Sequence, residues 1–177
     1  MRQAGCVAVG YGIESGSQTI LNSMNKQITV DQSVEALKNT IRANLVPVIQ
    51  MMYGYTGENQ KTLQETVDFY RRVPYGAACY SIATPLPGTE LYKQAIRKEL
   101  IADEERYLEQ LSAGYDGDTF LVNLTDFTEE EFYRFKRETE NKMRRAFLSH
   151  LLKKNQSALL KITGINIRFK KLKVKKL

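Results

Sequence analysis

The sequence of 177 residues holds a single histidine and only two cysteines, Cys6 and Cys79, far apart along the chain. No CxxC or CxxxCxxC spacing occurs, so the chain alone does not supply the three thiolates of an ordinary iron–sulfur site. Cys6 and Cys79 lack a third partner and fall in strand-like runs, which predicts buried core thiols kept reduced in a cytoplasm. A single disulfide between them is the alternative. His150 has no Ser, Cys or carboxylate at a spacing that suggests a catalytic pair. It sits in a charged helical stretch and reads as a surface residue. No apolar run approaches the roughly 18 residues that a membrane span needs. The opening MRQAGCVAVGYG lacks a small-residue cleavage site and leads straight into a helix, so it reads as a strand and not a signal peptide. The expected compartment is the cytoplasm.

The net charge of +6 hides two unlike regions. Lys153 to Leu177 carries nine basic residues and no acid, leaving 17 basic and 20 acidic groups in the rest of the chain. A mildly acidic body thus ends in a strongly basic tail. Such a tail steers toward RNA, anionic lipid or an acidic partner, or is simply a solvated end.

The front half reads as strands alternating with helices. Cys6 to Tyr11 is an apolar run bounded by Gly, suited to a buried parallel strand. Ser17 to Met24 predicts a short helix, and Thr29 with Gln32 three residues on has capping-box spacing for a longer one. In LVPVIQMMYG, Pro47 is expected to mark the first residue of a second strand. Thr62 to Arg72 places Leu63, Val67 and Tyr70 on one helical face. ACYSIATPLPGTELY predicts a third strand, a Pro/Gly turn and a helix start at Thr89. This alternation means βαβ units and a parallel sheet. Residues 95–123 read as loop with a short helix. Thr128 and Glu131 cap a long helix with acids in its first turn and bases in its last, as the helix dipole prefers. That acidic run is a helix start, not a metal site. Residues 157–177 are expected to form one more helix, broken at Gly164.

In a parallel sheet, ligands lie beyond the carboxyl ends of the strands. Three loops are expected at that edge: GIESGS, YGYTGEN and TPLPGT. Each carries glycines that let backbone approach a ligand, though each is also explained as a tight turn. Glu14 and Gln50 are acceptors suited to sugar hydroxyls, and Lys26 is a cation suited to a carboxylate. Tyr53, Tyr55, Tyr75 and Tyr80 fit either a substrate pocket or helix–sheet packing.

Three stretches together, AGCVAVGYGIESGSQTILNSMNKQITVDQ, MMYGYTGENQKTLQETVDF and ATPLPGTELY, resemble the radical S-adenosylmethionine (radical SAM) enzymes. The similarity is greatest to the cobalamin-binding branch that includes the anaerobic magnesium-protoporphyrin ester cyclases. It spans residues 1–100 in order and spacing. The resemblance implies an α/β fold, the C-terminal half of a partial (βα)6 TIM-like barrel, with these motifs on its fourth, fifth and sixth strands. Residues 101–127 would connect it to a helical extension over residues 128–177.

The resemblance also implies roles. Glu14, with Ser15 beside it, would contact the ribose of S-adenosylmethionine, Lys26 the methionine carboxylate, and Gln50 the ribose again. Backbone from Ile82 to Thr84 would lie along the adenine. Two departures stand in the fifth-strand turn, where Thr56 replaces a usual Pro and Asn59 a usual Thr; Asn can still cap a helix. The CxxxCxxC segment is the larger departure. Its 4Fe–4S cluster, and any cobalamin, would belong only to the complete enzyme, and the chain by itself would not catalyse. A truncated gene, a split enzyme or an excised fragment would each produce this pattern. The exposed first strand then predicts self-association, or a partner carrying the cysteine half. A different class of reading is a non-catalytic half-barrel whose basic tail binds RNA, as in tRNA modification.

Overall fold

The computed structural model describes residues 1–73, 77–113 and 117–153. Three parallel strands, β1 (Ala8–Glu14), β2 (Val46–Tyr53) and β3 (Ala77–Ile82), form an open sheet in the order β1-β2-β3. After β1 come α1 (Gln18–Ser23) and α2 (Val30–Arg42), and after β2 comes α3 (Gln60–Arg72). Beyond β3 lie α4 (Glu90–Arg97), α5 (Glu104–Ser112) and α6 (Glu129–Lys153). This is an α/β sheet flanked by helices, the arrangement of a partial TIM-like barrel.

Helix starts follow the expected chemistry. Thr29 and Gln32 form a reciprocal capping box on α2. Asn59 accepts from the amides of Lys61 and Thr62 at the head of α3, doing the work of the Thr it replaces. Thr128 and Glu131 exchange hydrogen bonds at the head of α6. Helix α3 buries Leu63, Val67, Phe69 and Tyr70 on one side, each contributing about 1.5–3 kcal/mol relative to exposure.

The two faces of the sheet differ. Tyr11 and Ile13, Ile49 and Met51, and Ala78 and Tyr80 pack in one cluster with side chains of α2, α3 and α6, including Met143. Tyr53 and Tyr80 stack there with ring centroids 5.4 Å apart. These two tyrosines are therefore packing residues; Tyr55 is half-buried and Tyr75 lies outside the described residues. The opposite face carries Gly10 and Gly12, Val48 and Gln50, and Cys79 and Ser81, all of them partly or fully exposed. At its carboxyl end this open face is bounded by a second cluster, in which Met52 packs against side chains of α4 and α5.

Several expectations need correction. The first strand runs to Glu14 rather than Tyr11, because Gly10 and Gly12 alternate with inward residues instead of ending the strand. Pro47 is the second strand residue, not the first. Val46 donates to Val7, so the next backbone nitrogen faces the β3 side, where pairing begins only at Val48↔Ala77. The missing N–H of proline is therefore tolerated in a central strand. Cys79 is exposed on the open face, not buried, because its register position opposite Gln50 turns it away from the helices. Both cysteines are free thiols. The side chain of His150, residues 154–177 and the expected break at Gly164 lie outside the described residues.

Candidate functional site

Because all three strands are parallel, their carboxyl ends share one edge, and the GIESGS, YGYTGEN and TPLPGT loops leave from it. The first loop begins with an irregularity. The register between β1 and β2 shifts between Gly12 and Glu14, and Glu14 takes a left-handed backbone with φ of 68°. That conformation costs a non-glycine residue about 1–2 kcal/mol. A bulge of this kind re-aims the side chain that follows it.

Lys26 is delivered to the same place by the end of α1. Asn25 is left-handed, Asn25 donates to the carbonyl of Asn22, and Lys26 donates to that of Leu21. These are the paired bonds of a Schellman ending, which reverses the chain just past the helix. The Lys26 ammonium then meets the Glu14 carboxylate at 3.0 Å, with side-chain exposures of 34% and 20%. Both groups lie directly over Gly12: a Cβ there would sit 2.6 Å from Glu14 Oε1 and 3.4 Å from Lys26 Nζ. Gly12 pairs with Gln50, and Gln50 with Cys79, across the open face. The Glu14–Lys26 pair thus lies over Gly12, whose register partner Gln50 is exposed on the same face.

Ser15 goes the other way. It is buried, its hydroxyl contacts that of Thr66 on α3, and it accepts from the Ser17 amide. The Ser17 hydroxyl donates to Glu65. Gly16 presses on α3 so closely that a Cβ would lie 2.6 Å from the Thr66 Cα. Half of the GIESGS loop therefore fastens β1 to α3, and only Glu14 reaches the open face. In the third loop, the amides of Ile82 and Ala83 are spent on the carbonyls of Gly117 and Tyr53, and the Ile82 side chain is buried. Thr84 donates to the Ile82 carbonyl. The amides of Ile82 and Ala83 are thus already committed within the fold.

One residue of the second loop escaped the reading of the sequence. Glu58 is buried and accepts from the Gly54 amide at 2.7 Å. Burial pushes its carboxyl up to about 7, against the opposing pull of that hydrogen bond. The loop reads from its sequence as a tight turn, and no local signal marks Glu58 as buried. A cavity of about 550 Å³ between α3 and α6 is lined by Gln60, Lys61, Glu65, Asp68, Glu138 and Lys142 among others. It belongs to the helix layer and includes neither Glu14 nor Gln50.

Among the described residues no three His, Cys, Asp or Glu side chains meet in a way that would hold a metal ion. The 4Fe–4S cluster therefore does not fit any site described here. The open face offers a carboxylate of the kind that accepts from hydroxyls, an ammonium of the kind that pairs with a carboxylate, and glycine backbone. No described helix is long and apolar enough to cross a membrane.

Residues 1–70 match the Radical SAM superfamily. The chain is 35% identical over 101 residues to an uncharacterized methyltransferase of Pyrococcus horikoshii, covering 57% of this chain and 22% of that protein. It is 29% identical over 106 residues to the anaerobic magnesium-protoporphyrin IX monomethyl ester cyclase of Rubrivivax gelatinosus, covering 60% and 19%. It is 30% identical over 103 residues to the tRNA-2-methylthio-N(6)-dimethylallyladenosine synthase of Paracoccus denitrificans, covering 57% and 23%. The chain thus spans about a fifth of the length of these relatives. Family match, relatives and parallel sheet agree: the front of the chain resembles the radical SAM superfamily.

Proposed function

We propose that this chain is the segment of a radical SAM enzyme that grips the ribose and the methionine carboxylate of S-adenosylmethionine. Glu14 and Gln50 accept from the ribose hydroxyls, Lys26 takes the carboxylate, and the peptides of Ile82 to Thr84 flank the adenine. The observation that carries this reading is the meeting of Glu14 and Lys26 over Gly12, beside Gln50, at the carboxyl edge of the sheet. In a complete enzyme a cluster held outside the described residues would supply the electron for radical chemistry, and Glu14, Gln50 and Lys26 would hold the cofactor in place. The relatives named as methyltransferase and cyclase support the cobalamin-type branch, with methyl transfer or oxidative ring closure as the outcome.

The cluster ligands come from outside the described residues, on a preceding segment or a partner chain. Strand β1 supports that arrangement. Among the described residues it pairs only with β2, and Val7, just before it, is 61% exposed. An unpaired edge of this kind recruits another strand, so the chain alone self-associates unless that half is supplied.

Calorimetric titration with S-adenosylmethionine tests the reading. Binding that weakens several-fold in Glu14→Ala is the expected result, since loss of the charge-assisted hydroxyl contacts outweighs the modest gain from freeing Lys26. Equal binding by both proteins, or by neither, refutes it. Salt-dependent RNA binding without any cofactor binding would favour the basic-tail alternative instead.

A further inference from the structure

The contact between Glu14 and Lys26 has a consequence for how a ligand enters. Each group is the other's partner at 3.0 Å, yet a ligand bearing both hydroxyls and a carboxylate needs the two separately. The floor beneath them leaves room for the meeting. Gly12 has no side chain to hold the carboxylate off the sheet, and the space a Cβ would fill is the space the Glu14 oxygen uses. The backbone on either side is specialised to the same end: a bulge with a left-handed Glu14 aims one group, and the helix ending at Asn25 aims the other.

We infer that Glu14 and Lys26 form a self-neutralising latch seated on Gly12, and that ligand enters by ion-pair exchange. The ligand carboxylate displaces Glu14 from Lys26, and the released Glu14 turns to the hydroxyls. Gly12 is then a positioning residue, since it touches neither partner of the incoming molecule but sets where both protein charges rest. This inference rests on the adenosyl reading and adds a direction to it. Glu14 competes with the ligand for Lys26 while serving it elsewhere. Removing its charge therefore has opposite effects on the two halves of the ligand. A Glu14 that only supported the loop would weaken both halves alike.

Two variants separate charge from seat. Glu14→Gln keeps the size of the side chain and removes the competing charge. Gly12→Ala keeps both charges and denies them the shared seat. It is compatible with the backbone, because Gly12 is not among the glycines with positive φ, and the atoms it crowds are the ends of flexible side chains.

The probes are L-methionine for the carboxylate half and adenosine for the diol half, each titrated by NMR against wild type and both variants. A ligand-free readout accompanies them: the rate of reductive methylation of Lys26 by formaldehyde and cyanoborohydride, followed by mass spectrometry. In Glu14→Gln, methionine is expected to bind about fivefold more tightly, in keeping with the modest strength of a partly exposed pair, while adenosine binds more weakly. Lys26 is expected to methylate several-fold faster in both variants. Unchanged or weaker methionine binding in Glu14→Gln, or unchanged Lys26 methylation in both variants, overturns the latch. Should wild type bind neither probe, the adenosyl reading fails and the latch with it. Should wild type bind both while Glu14→Gln leaves methionine unaffected, the latch alone fails.

Discussion

The amide of Gly54 donates to the Glu58 carboxylate across 2.7 Å, inside a turn that leaves Glu58 only 2% exposed. Gly57 is left-handed and the Glu58 amide closes the turn on the Tyr55 carbonyl. A carboxylate used as the staple of the second loop fixes how β2 passes into α3, and so fixes the edge on which Gln50 stands.

Burial raises the Glu58 carboxyl from 4.5 to about 7 in the folded chain. Between those values the folded protein holds a proton that the unfolded chain has released, so stability falls as pH rises from about 4.5 to about 7. Above that window the carboxyl is ionised in both states and the slope ends. Chemical denaturation across this range is expected to lose roughly 3 kcal/mol from this group. Glu58→Gln, which keeps an acceptor for Gly54 and cannot ionise, is expected to flatten the slope. An equally steep slope in the variant would contradict the assignment.

Gly16 and Gly12 are four residues apart and predict opposite behaviour. A methyl at Gly16 meets α3 backbone and the Phe69 Cβ, each at 2.6 Å, and neither can swing aside. Gly16→Ala is expected to lose about 1–3 kcal/mol or more in thermal or urea unfolding, the cost of overpacking. Gly12→Ala is expected to stay within about 0.5 kcal/mol of wild type, as its methyl crowds only mobile side-chain ends. Equal losses in the two would mean that the loop is not fastened to α3 as described.

The Thr56 hydroxyl is buried and, among the described residues, has no hydrogen-bond partner. Thr56→Val keeps the shape and removes the orphaned group. It is expected to raise stability by about 1 kcal/mol, read as a higher urea midpoint with unchanged slope. A fall in the midpoint would show that the hydroxyl is satisfied.

Much of this architecture was legible in the sequence because its signals are local. Thr29 with Gln32, and Thr128 with Glu131, announce helix starts through chemistry within four residues. The parallel order followed from apolar runs alternating with amphipathic helices. What was not legible depended on which way a residue faces. Ser15 stands next to Glu14, yet the bulge and the approach of α3 send one to the core and the other to the open face. Cys79 was expected inside because its neighbours are apolar, and only the register opposite Gln50 shows that it faces out. Glu58 lies in a loop that reads as a tight turn, and only the fold shows that it is buried. The two strands align residue for residue from Ala8↔Val46 to Gly12↔Gln50 and then slip at Glu14, a long-range fact that no local pattern carries.

Cys79 offers a built-in reporter of the open face. Its thiol is exposed and stands across from Gln50, so it should react readily with a maleimide. Saturating S-adenosylmethionine is expected to slow that labelling severalfold in a Cys6→Ser background, with thiolate access as the controlling factor. Unaltered labelling at saturation would place the ligand elsewhere.

The most direct test is to locate the adenosyl group on the protein. Backbone NMR of the labelled chain titrated with adenosine should shift the amides of Gly10, Gly12, Glu14 and Gln50, leaving Gln64, Asp68 and Glu138 of the α3–α6 cavity unmoved. Shifts confined to that cavity, with the open face silent, would contradict the account.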